Sequence, residues 1–301
     1  MTTTSPIIPF PTAGTVLTSA RGSYTIGALI GDGQYGSVYE AIGPFDQLYA
    51  LKMFRPANRH YETVKMEWSA EMKRLESFRH PNIVYIYDAF EFNFLFYIAL
   101  ERCDTSLRAL TTRPFPDAVL VELTRQLLVA LDYLHDNGLV HSDLHGGNVL
   151  VSRVESLFPP GADGTPALVK ITDFGVSHQL ESDNWFRPQV ANPKILTPEL
   201  VTAGYTTRQS DLYQLGLLMF AMHTGESAIP EGTSYHELTR SIAEGFPRQR
   251  AEALGTPIGN VIAKLLRRRD AYRYQLARDV WEDLRLLVPG ALVHTVPPSL
   301  R

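Results

Sequence analysis

The order of hydrophobic and polar positions divides the chain into a strand-rich first third and a helix-rich remainder. Short apolar runs at residues 48–54, 83–90 and 94–100 are bounded by polar and turn residues, which is typical of strands. Residues 61–78 instead repeat apolar side chains at three- and four-residue spacing and predict a helix. After residue 104 this spacing predicts an amphipathic helix whose inner face carries five leucines: Leu120, Leu123, Leu127, Leu131 and Leu134.

Composition and charge narrow the class of protein. The 301 residues suit one large domain or two lobes, and 45% hydrophobic with 20% charged residues is ordinary for a folded soluble protein. The formal charge of −4 does not indicate a nucleic acid or an anionic membrane as partner. A single cysteine, Cys103, excludes an intrachain disulfide framework. Because no membrane span or secretory signal is visible, we expect a cytoplasmic protein that binds neither nucleic acid nor membrane.

The strongest candidates for catalytic and metal-binding side chains lie in residues 139–151, which read LVHSDLHGGNVLV. Asp143 stands five residues before Asn148, and the apolar residues on both sides predict short strands that would hold the loop rigid. A carboxylate can orient or accept the proton of a hydroxyl, and an amide oxygen can bind a divalent cation. A second carboxylate, Asp173, follows the apolar residues 168–171. This set suits metal-assisted phosphoryl transfer, in which positioning and charge neutralisation provide most of the catalysis.

These residues resemble the catalytic and metal-binding loops of the eukaryotic-type (Hanks-type) protein kinases. The resemblance rests on His141, Asp143 and Asn148, which are followed by Asp173-Phe174-Gly175. The remaining segments can be aligned with the same family, so the resemblance covers nearly the whole chain.

The resemblance implies an α+β, bilobal protein-kinase-like fold. Residues 23–103 would form the N-lobe, a small five-stranded antiparallel sheet with one helix. Residues 104–288 would form a mainly helical C-lobe. Residues 1–22 and 289–301 are expected to be tails, and the turn-rich residues 153–167 a tolerated surface insertion.

The resemblance also implies that the N-lobe binds the phosphates of ATP. Gly31, Gly33 and Gly36 form a G-x-G-x-x-G sequence, whose backbone amides could approach phosphate oxygens closely. The motif alone fits an ordinary β-hairpin turn about as often, but a strand rather than a helix follows it, which favours a kinase-type hairpin. Lys52 would hold the phosphates. Glu71, rather than the glutamate four residues earlier, has the family spacing to pair with Lys52.

Residues on both sides of the predicted lobe boundary are implied to contact adenine. Val38, Ala50 and Leu150 would pack against the base. Backbone groups of Glu101 and Cys103, in the segment that resembles the hinge between lobes, would hydrogen-bond it.

The catalytic and metal-binding roles are implied in the same way. Asp143 would orient the hydroxyl nucleophile. Asn148 and Asp173 would bind Mg²⁺, an ion that prefers oxygen ligands. The implied cofactors are therefore ATP and Mg²⁺.

Two positions of the catalytic loop depart from the family pattern. Ser142 stands where the family commonly has arginine, and His145 stands where it has the lysine that neutralises the transferring phosphate. A histidine there could donate a hydrogen bond and carry partial charge near neutral pH, or it could be polar filler. The sequence HSDLHGGN is therefore also similar to small-molecule phosphotransferases of the aminoglycoside and choline kinase type.

Residues 176–196 would be the activation segment of a kinase. Ser177 and Ser182 are its only hydroxyl-bearing residues, and Asn192 stands where serine/threonine kinases usually carry threonine. Together with the missing arginine, this pattern argues against control by phosphorylation of the central part of the segment.

Charged residues further along the chain favour a protein substrate. The resemblance extends to three charged residues that stabilise the fold of protein kinases: Glu199, Asp211 and Arg273. Small-molecule phosphotransferases lack these three residues. We therefore expect an ATP- and Mg²⁺-dependent protein kinase acting on Ser or Thr hydroxyls. A nucleotide-binding pseudokinase scaffold and a small-molecule phosphotransferase remain alternatives.

Residues 267–269, three consecutive arginines, are expected to be a solvated helix end rather than a binding patch.

Overall fold

The computed structural model describes residues 10–33, 36–54, 60–157, 167–175, 177–180, 185–188, 195–229 and 234–288. Several expectations lie outside these residues: those for residues 1–9 and 289–301, for residues 158–166 of the insertion, and for Ser182 and Asn192. The chain forms two compact units. The first comprises Met1–Arg79 and Val84–Cys103, and the second comprises His80–Ile83 and Asp104–Arg301.

The first unit is built on one antiparallel sheet. Its strands lie in the order β1-β2-β3-β4-β6-β5. The bounds are β1 Val16–Ser19, β2 Gly22–Asp32, β3 Gly36–Ile42, β4 Leu48–Phe54, β5 Ile86–Phe92 and β6 Leu95–Glu101. Among the described residues of this unit, a sheet with a single helix confirms the architecture expected for the N-lobe, but the sheet has six strands rather than five.

The additional strand is β1, which corrects the expected tail at residues 16–22; residues 1–9 of that tail lie outside the described chain. It pairs with β2, and its Leu17 is completely buried. Asp88 accepts hydrogen bonds from Ser19 Oγ at 2.6 Å and from the Tyr24 hydroxyl at 3.1 Å. Burial and the Asp88 carboxylate raise the pKa of Tyr24, which keeps its hydroxyl protonated as a donor. Four residues with one buried side chain are too short to show the alternation that predicts a strand.

One helix, α1 Tyr61–Ser77, packs on this sheet. Trp68 fixes the helix through its indole N–H, which donates to the carbonyl oxygen of Tyr97 at 3.0 Å. Its ring also stacks on Phe96 with a centroid separation of 5.1 Å. A directional hydrogen bond together with ring stacking holds α1 in a defined position on the strands.

The second unit is mainly helical, as expected for the C-lobe. Its helices are α2 Leu107–Leu110, α3 Asp117–Asp136, α4 Pro198–Ala203, α5 Arg208–Thr224, α6 Tyr235–Glu244, α7 Phe246–Ala253, α8 Pro257–Leu265 and α9 Ala277–Leu284. Short strands complete it: β7 Thr105–Ser106, β8 Leu139–Val140, β9 Val149–Ser152, β10 Leu168–Ile171 and β11 His178–Gln179. Within the described ranges, no helix combines the length and apolar character needed to cross a membrane.

Two helices form the centre of this unit. The leucines predicted for the inner face of α3 are buried, and Gly138 just beyond the helix adopts φ +75°, a conformation that glycine tolerates. Helix α5 is buried along most of its length and packs closely on α8. A Cβ added at Gly216 would lie only 2.9 Å from the Cβ of Leu265, so this contact between helices requires glycine.

A buried ion pair connects distant parts of the second unit. Arg273 Nη1 lies 2.9 Å from Glu199 Oε1, and Nη2 lies 2.6 Å from Oε2. The two side chains are 0% and 2% exposed. Arg273 also donates to the carbonyl oxygens of Arg267 at 2.7 Å and Gln209 at 3.0 Å. The pair therefore joins α4, the start of α5 and the segment after α8.

We expect Arg273→Met to lower the free energy of unfolding by about 3–5 kcal/mol, because the substitution leaves the Glu199 carboxylate buried without its cation. Urea titration followed by far-UV circular dichroism measures this change. Arg278→Met is the matched control, since Arg278 forms exposed ion pairs with Asp132 and Asp136 and should change stability little. Equal effects of the two substitutions would contradict the importance assigned to the buried pair.

Candidate active site

In the first unit, Lys52 on β4 and Glu71 on α1 form a buried ion pair. Lys52 Nζ lies 2.7 Å from Oε1 and 2.9 Å from Oε2 of Glu71, and the side chains are 8% and 2% exposed. Bidentate geometry of this kind offsets the desolvation of two buried charges. Of the two glutamates considered from the sequence, Glu71 is the buried one, whereas Glu67 is partly exposed.

The three glycines of the G-x-G-x-x-G sequence lie at the end of the β2–β3 hairpin. Gly31 is opposite Val38 in the strand register, and the Gly33 N–H donates to the Gly36 carbonyl at 2.9 Å. A Cβ at Gly36 would overlap the backbone of Met53, so the approach of β3 to β4 requires glycine there. Residues 34 and 35, between these positions, lie outside the described chain.

The side chains expected to contact adenine in the first unit share a sheet face with Lys52. Val38 is directly opposite Lys52 in the β3–β4 register, and Ala50 precedes Lys52 by two residues on β4. Residues that are directly opposite, or two apart on one strand, point to the same side of a sheet. Glu101 ends β6, where its N–H donates to the Tyr85 carbonyl at 2.9 Å.

Cys103 and Leu150, the other two residues implied to contact adenine, lie at different places in the chain. Cys103 is the last residue of the first unit and is buried. Leu150 lies on β9 of the second unit, is half-buried and pairs with Lys170 in the strand register.

In the second unit, the loop between β8 and β9 brings Asp143 and Asn148 into contact. The Asn148 side-chain Nδ2 donates to the Asp143 carbonyl and to Asp143 Oδ2, both at 2.9 Å. The Asp143 side chain is 15% exposed, and Asn148 is buried. Because both hydrogen bonds use the amide nitrogen, the Asn148 amide oxygen is the atom suited to bind a cation.

His145 places a second polar group beside Asp143. Its Nδ1 accepts the Gly147 N–H at 2.9 Å, so the proton of the neutral ring lies on Nε2. Nε2 is 3.8 Å from Asp143 Oδ2, too far for a direct hydrogen bond. The imidazole therefore presents a donor next to the carboxylate.

A completely buried carboxylate, Asp211 on α5, holds the start of the loop. Its Oδ2 accepts the His141 N–H at 2.9 Å and the His135 ring nitrogen at 2.8 Å, and its Oδ1 accepts the Ser142 N–H at 2.8 Å. Ser142 has φ +68°, an uncommon conformation for a residue other than glycine. The hydrogen bonds from the His141 and Ser142 amides stabilise this turn immediately before Asp143, while His135 on α3 holds the carboxylate itself.

Gln214 is a positioning residue that the sequence analysis missed. Its Oε1 accepts the Leu144 N–H at 3.0 Å, and its Nε2 donates to the carbonyl oxygens of Ser142 at 3.0 Å and Ile195 at 3.2 Å. Gln214 follows Asp211 by three residues, so both project from the same face of α5. This helical spacing of an amide after the recognised aspartate was the signal available in the sequence.

Backbone hydrogen bonds bring the second carboxylate, Asp173, next to the catalytic loop. The Thr172 N–H donates to the Asn148 carbonyl at 2.9 Å, and the Thr172 carbonyl bonds to His141 Nε2 at 3.1 Å. Asp173 has φ +64°. The next residue, Phe174, is completely buried, with its ring centroid 5.1 Å from that of His141.

The donor set of Asn148 and Asp173 fits Mg²⁺ in its chemistry. An amide oxygen and a carboxylate are hard oxygen ligands, and Mg²⁺ usually completes its shell with water and substrate phosphates. No group of three or more His, Cys, Asp and Glu side chains suited to a metal ion occurs in the described parts of the chain.

Comparison with known proteins adds an independent finding. The protein kinase domain family matches residues 24–282. The Bacillus subtilis serine/threonine-protein kinase PrkC is 25% identical over 272 residues, which are 88% of this chain and 40% of the relative.

Two further relatives have higher identity over shorter regions. The probable serine/threonine-protein kinase PknB of Lactococcus lactis is 30% identical over 67% of this chain and 32% of its own length. Mouse mitogen-activated protein kinase kinase kinase 4 is 30% identical over 66% of this chain and 12% of its own length. The chain thus spans 12–40% of the length of these relatives.

We expect Asp211→Asn to loosen the start of the catalytic loop, because an amide nitrogen replaces one acceptor oxygen. The opening free energy of the His141 and Ser142 amides should fall by about 1–3 kcal/mol, as measured by hydrogen exchange. Asp132→Asn, at a more exposed carboxylate on α3, is the matched control and should leave these amides unchanged. Unaltered exchange in Asp211→Asn would show that the carboxylate does not hold the loop.

Proposed function

The chain belongs to the protein kinase domain family, and on this premise we propose that it transfers the γ-phosphoryl group of ATP to Ser or Thr hydroxyls of a protein substrate. The observation that carries the proposal is the catalytic loop, in which Asp143 is fixed by Asn148 while Asp211 and Gln214 hold the adjoining backbone. The proposal also places the reaction in the cytoplasm, where ATP is available.

Asp143 has the position and chemistry of the residue that orients the acceptor hydroxyl. Its carboxylate is held 2.9 Å from the Asn148 amide nitrogen and remains partly exposed. A carboxylate in this state can accept a hydrogen bond from an incoming hydroxyl and take its proton as the phosphoryl group transfers. Fixed orientation lowers the entropic part of the barrier.

Two groups of polar side chains would bind the nucleotide phosphates, one directly and one through Mg²⁺. Lys52, oriented by Glu71, would hold the α- and β-phosphates, while Asn148 and Asp173 would hold Mg²⁺. Mg²⁺ bound there supplies positive charge that offsets the charge on the phosphate oxygens. The glycine-containing hairpin and the sheet face with Val38 and Ala50 would contact the nucleotide in the first unit.

His145 replaces the lysine that the family usually carries two residues after the catalytic aspartate. Its Nδ1 is engaged by the Gly147 N–H, which orients Nε2 as a hydrogen-bond donor next to Asp143. A donor at this position can stabilise negative charge on the transferring phosphoryl group. We therefore include His145 among the catalytic residues.

The structure of the second unit bears on the acceptor class. Glu199 and Arg273 form a buried ion pair, and Asp211 holds the start of the catalytic loop. These are the three charged residues that, in the sequence, favour a protein kinase over a small-molecule phosphotransferase. The retained groups at Lys52, Asp143 and Asn148 favour an active enzyme over a pseudokinase scaffold. Neither alternative is supported by a separate observation.

We expect Asp143→Asn to lower the rate of phosphoryl transfer to a generic protein acceptor by at least about 10²-fold, because an amide cannot take the hydroxyl proton. Transfer is measured with labelled ATP and Mg²⁺, and nucleotide binding is measured separately by calorimetry. Binding should survive in the variant. Asp136→Asn, an exposed position at the end of α3, is the control and should retain activity.

Three results would contradict the proposal. The first is substantial turnover by Asp143→Asn. The second is label that appears only on small hydroxyl compounds. The third is nucleotide binding without any transfer by the native chain, which would indicate a scaffold.

We expect His145→Ala to lower kcat by on the order of 10-fold to 10²-fold, because one donor to the phosphoryl group is lost. His145→Lys should restore most of the activity, since an ammonium also donates hydrogen bonds. The KM for ATP should change little in both variants if His145 acts mainly in the transition state. Equal activity of His145→Ala and the native enzyme would show that the ring is polar filler.

A further inference from the structure

A basic groove lies in the second unit, formed by α4, α6, α7 and the segment after α8. Four arginines line it, Arg248, Arg267, Arg268 and Arg269, and we refer to it as the arginine groove. Its volume is about 580 Å³, and the side chains of Thr202 and Tyr272 add polar hydroxyl groups. The groove thus concentrates positive charge in a chain whose formal charge is −4.

Most of this positive charge is not neutralised within the described part of the protein. Arg248 is paired with Glu252, with Nη2 at 2.6 Å from Oε1. In contrast, no carboxylate among the described residues lies within 4.0 Å of the guanidinium nitrogens of Arg267, Arg268 or Arg269. Three like charges on consecutive residues repel one another, and an anionic ligand would relieve that repulsion.

The arginine run is held in place by the protein interior. Buried Arg273 donates to the Arg267 carbonyl at 2.7 Å and to the Arg268 carbonyl at 3.3 Å. Arg267 itself donates through Nη1 to the Tyr272 carbonyl at 2.9 Å. The backbone of the run is therefore fixed by a residue that is itself bound to Glu199, which lowers the entropy lost when a ligand binds.

The side chains of the run are also supported along their length. The Arg268 stem passes over Gly245, where an added Cβ would lie 2.9 Å from Arg268 Cδ. The Arg269 guanidinium lies 5.9 Å from the centroid of the Tyr272 ring, within range of a cation–π contact. Tyr272 is 57% exposed and can present an apolar ring to a ligand. The sequence-based expectation of a simple solvated helix end is therefore incomplete.

We propose that the arginine groove binds an acidic segment of a protein partner through its Asp and Glu carboxylates. Guanidinium groups match carboxylates with bidentate geometry, and clusters of arginine commonly recognise acidic motifs. An extended polyanion such as a nucleic acid is disfavoured because the chain as a whole is negatively charged. Binding at this groove does not require phosphoryl transfer, so the inference stands apart from the proposed function.

The test measures binding of a short fluorescein-labelled peptide rich in Glu and Asp to the full chain by fluorescence polarisation. We expect saturable binding that weakens as salt is added, and no binding of the Gln/Asn version of the same peptide. Arg268→Glu and Arg269→Glu should each weaken binding by about tenfold or more, because each replaces a charge-assisted hydrogen bond with repulsion. A phosphoserine version of the peptide is compared in the same assay, and binding of the phosphorylated peptide alone would contradict recognition of carboxylates.

Arg285→Glu is the matched control, because it makes the same charge change at an exposed arginine of the segment after α9, paired with Glu282. It should leave binding unchanged. Arg268→Gln and Arg269→Gln provide milder variants in case charge reversal disturbs folding, which circular dichroism would reveal. Equal loss of binding in Arg285→Glu, equal affinity for the uncharged peptide, or tighter binding of a single-stranded oligonucleotide would each overturn the proposal.

Discussion

The geometry of the catalytic loop depends on the buried carboxylate of Asp211. A carboxylate that is fully removed from water must satisfy its oxygens with protein donors, and here two of those donors are consecutive backbone amides, His141 and Ser142. Strand β8 ends at Val140, so these amides lie beyond its hydrogen-bonded register. Asp211 accepts them instead. The turn before Asp143 is thereby determined by α5 rather than by the loop itself.

The Glu199–Arg273 pair has a comparable role in the periphery of the second unit. Burial alone would raise the pKa of Glu199, but hydrogen bonds and charge from Arg273 outweigh it and hold the pKa below its usual range. The Glu199 carboxylate therefore remains ionised. The Arg273 guanidinium also donates hydrogen bonds to the carbonyl oxygens of Arg267 and Arg268. One buried interaction thus links α4 to the start of α5 and also holds the backbone of the arginine run.

Much of the fold could be predicted because the informative residues have strong local signatures. The spacing of leucines in α3 and the order of Asp143, Asn148 and Asp173 are visible in the linear chain. Strand β1 could not be predicted, since its four residues are too short to show alternation and one contact that holds it, from Ser19 to Asp88, spans 69 residues. Likewise, the arginine groove arises from long-range packing, and the spacing of its residues carries no periodic signal.

In the candidate site, too, some residues can be identified from sequence motifs and others only from their contacts in the folded chain. Family spacing in the sequence pairs Lys52 with Glu71, and the structure adds that Glu71 is the glutamate buried against the sheet. Gln214 was missed although it contacts three backbone groups, because glutamine has no motif of its own and acts only through the loop it meets. The three-residue spacing from Asp211 places Gln214 on the same helix face, but the backbone groups that it holds are identified only in the folded structure.

The departure at Ser142 has a limited structural effect for the same reason. Its N–H is bound by Asp211 and its carbonyl by Gln214, so the backbone at this position is fixed from α5 whichever side chain it carries. Loss of the arginine common in the family therefore removes a cation that could pair with a phosphate, while the turn that presents Asp143 is retained. The backbone of Ser142 thus keeps the loop geometry that phosphoryl transfer requires, while its side chain lacks the positive charge that could serve regulation. The two properties are separable because backbone and side-chain atoms of the same residue determine them.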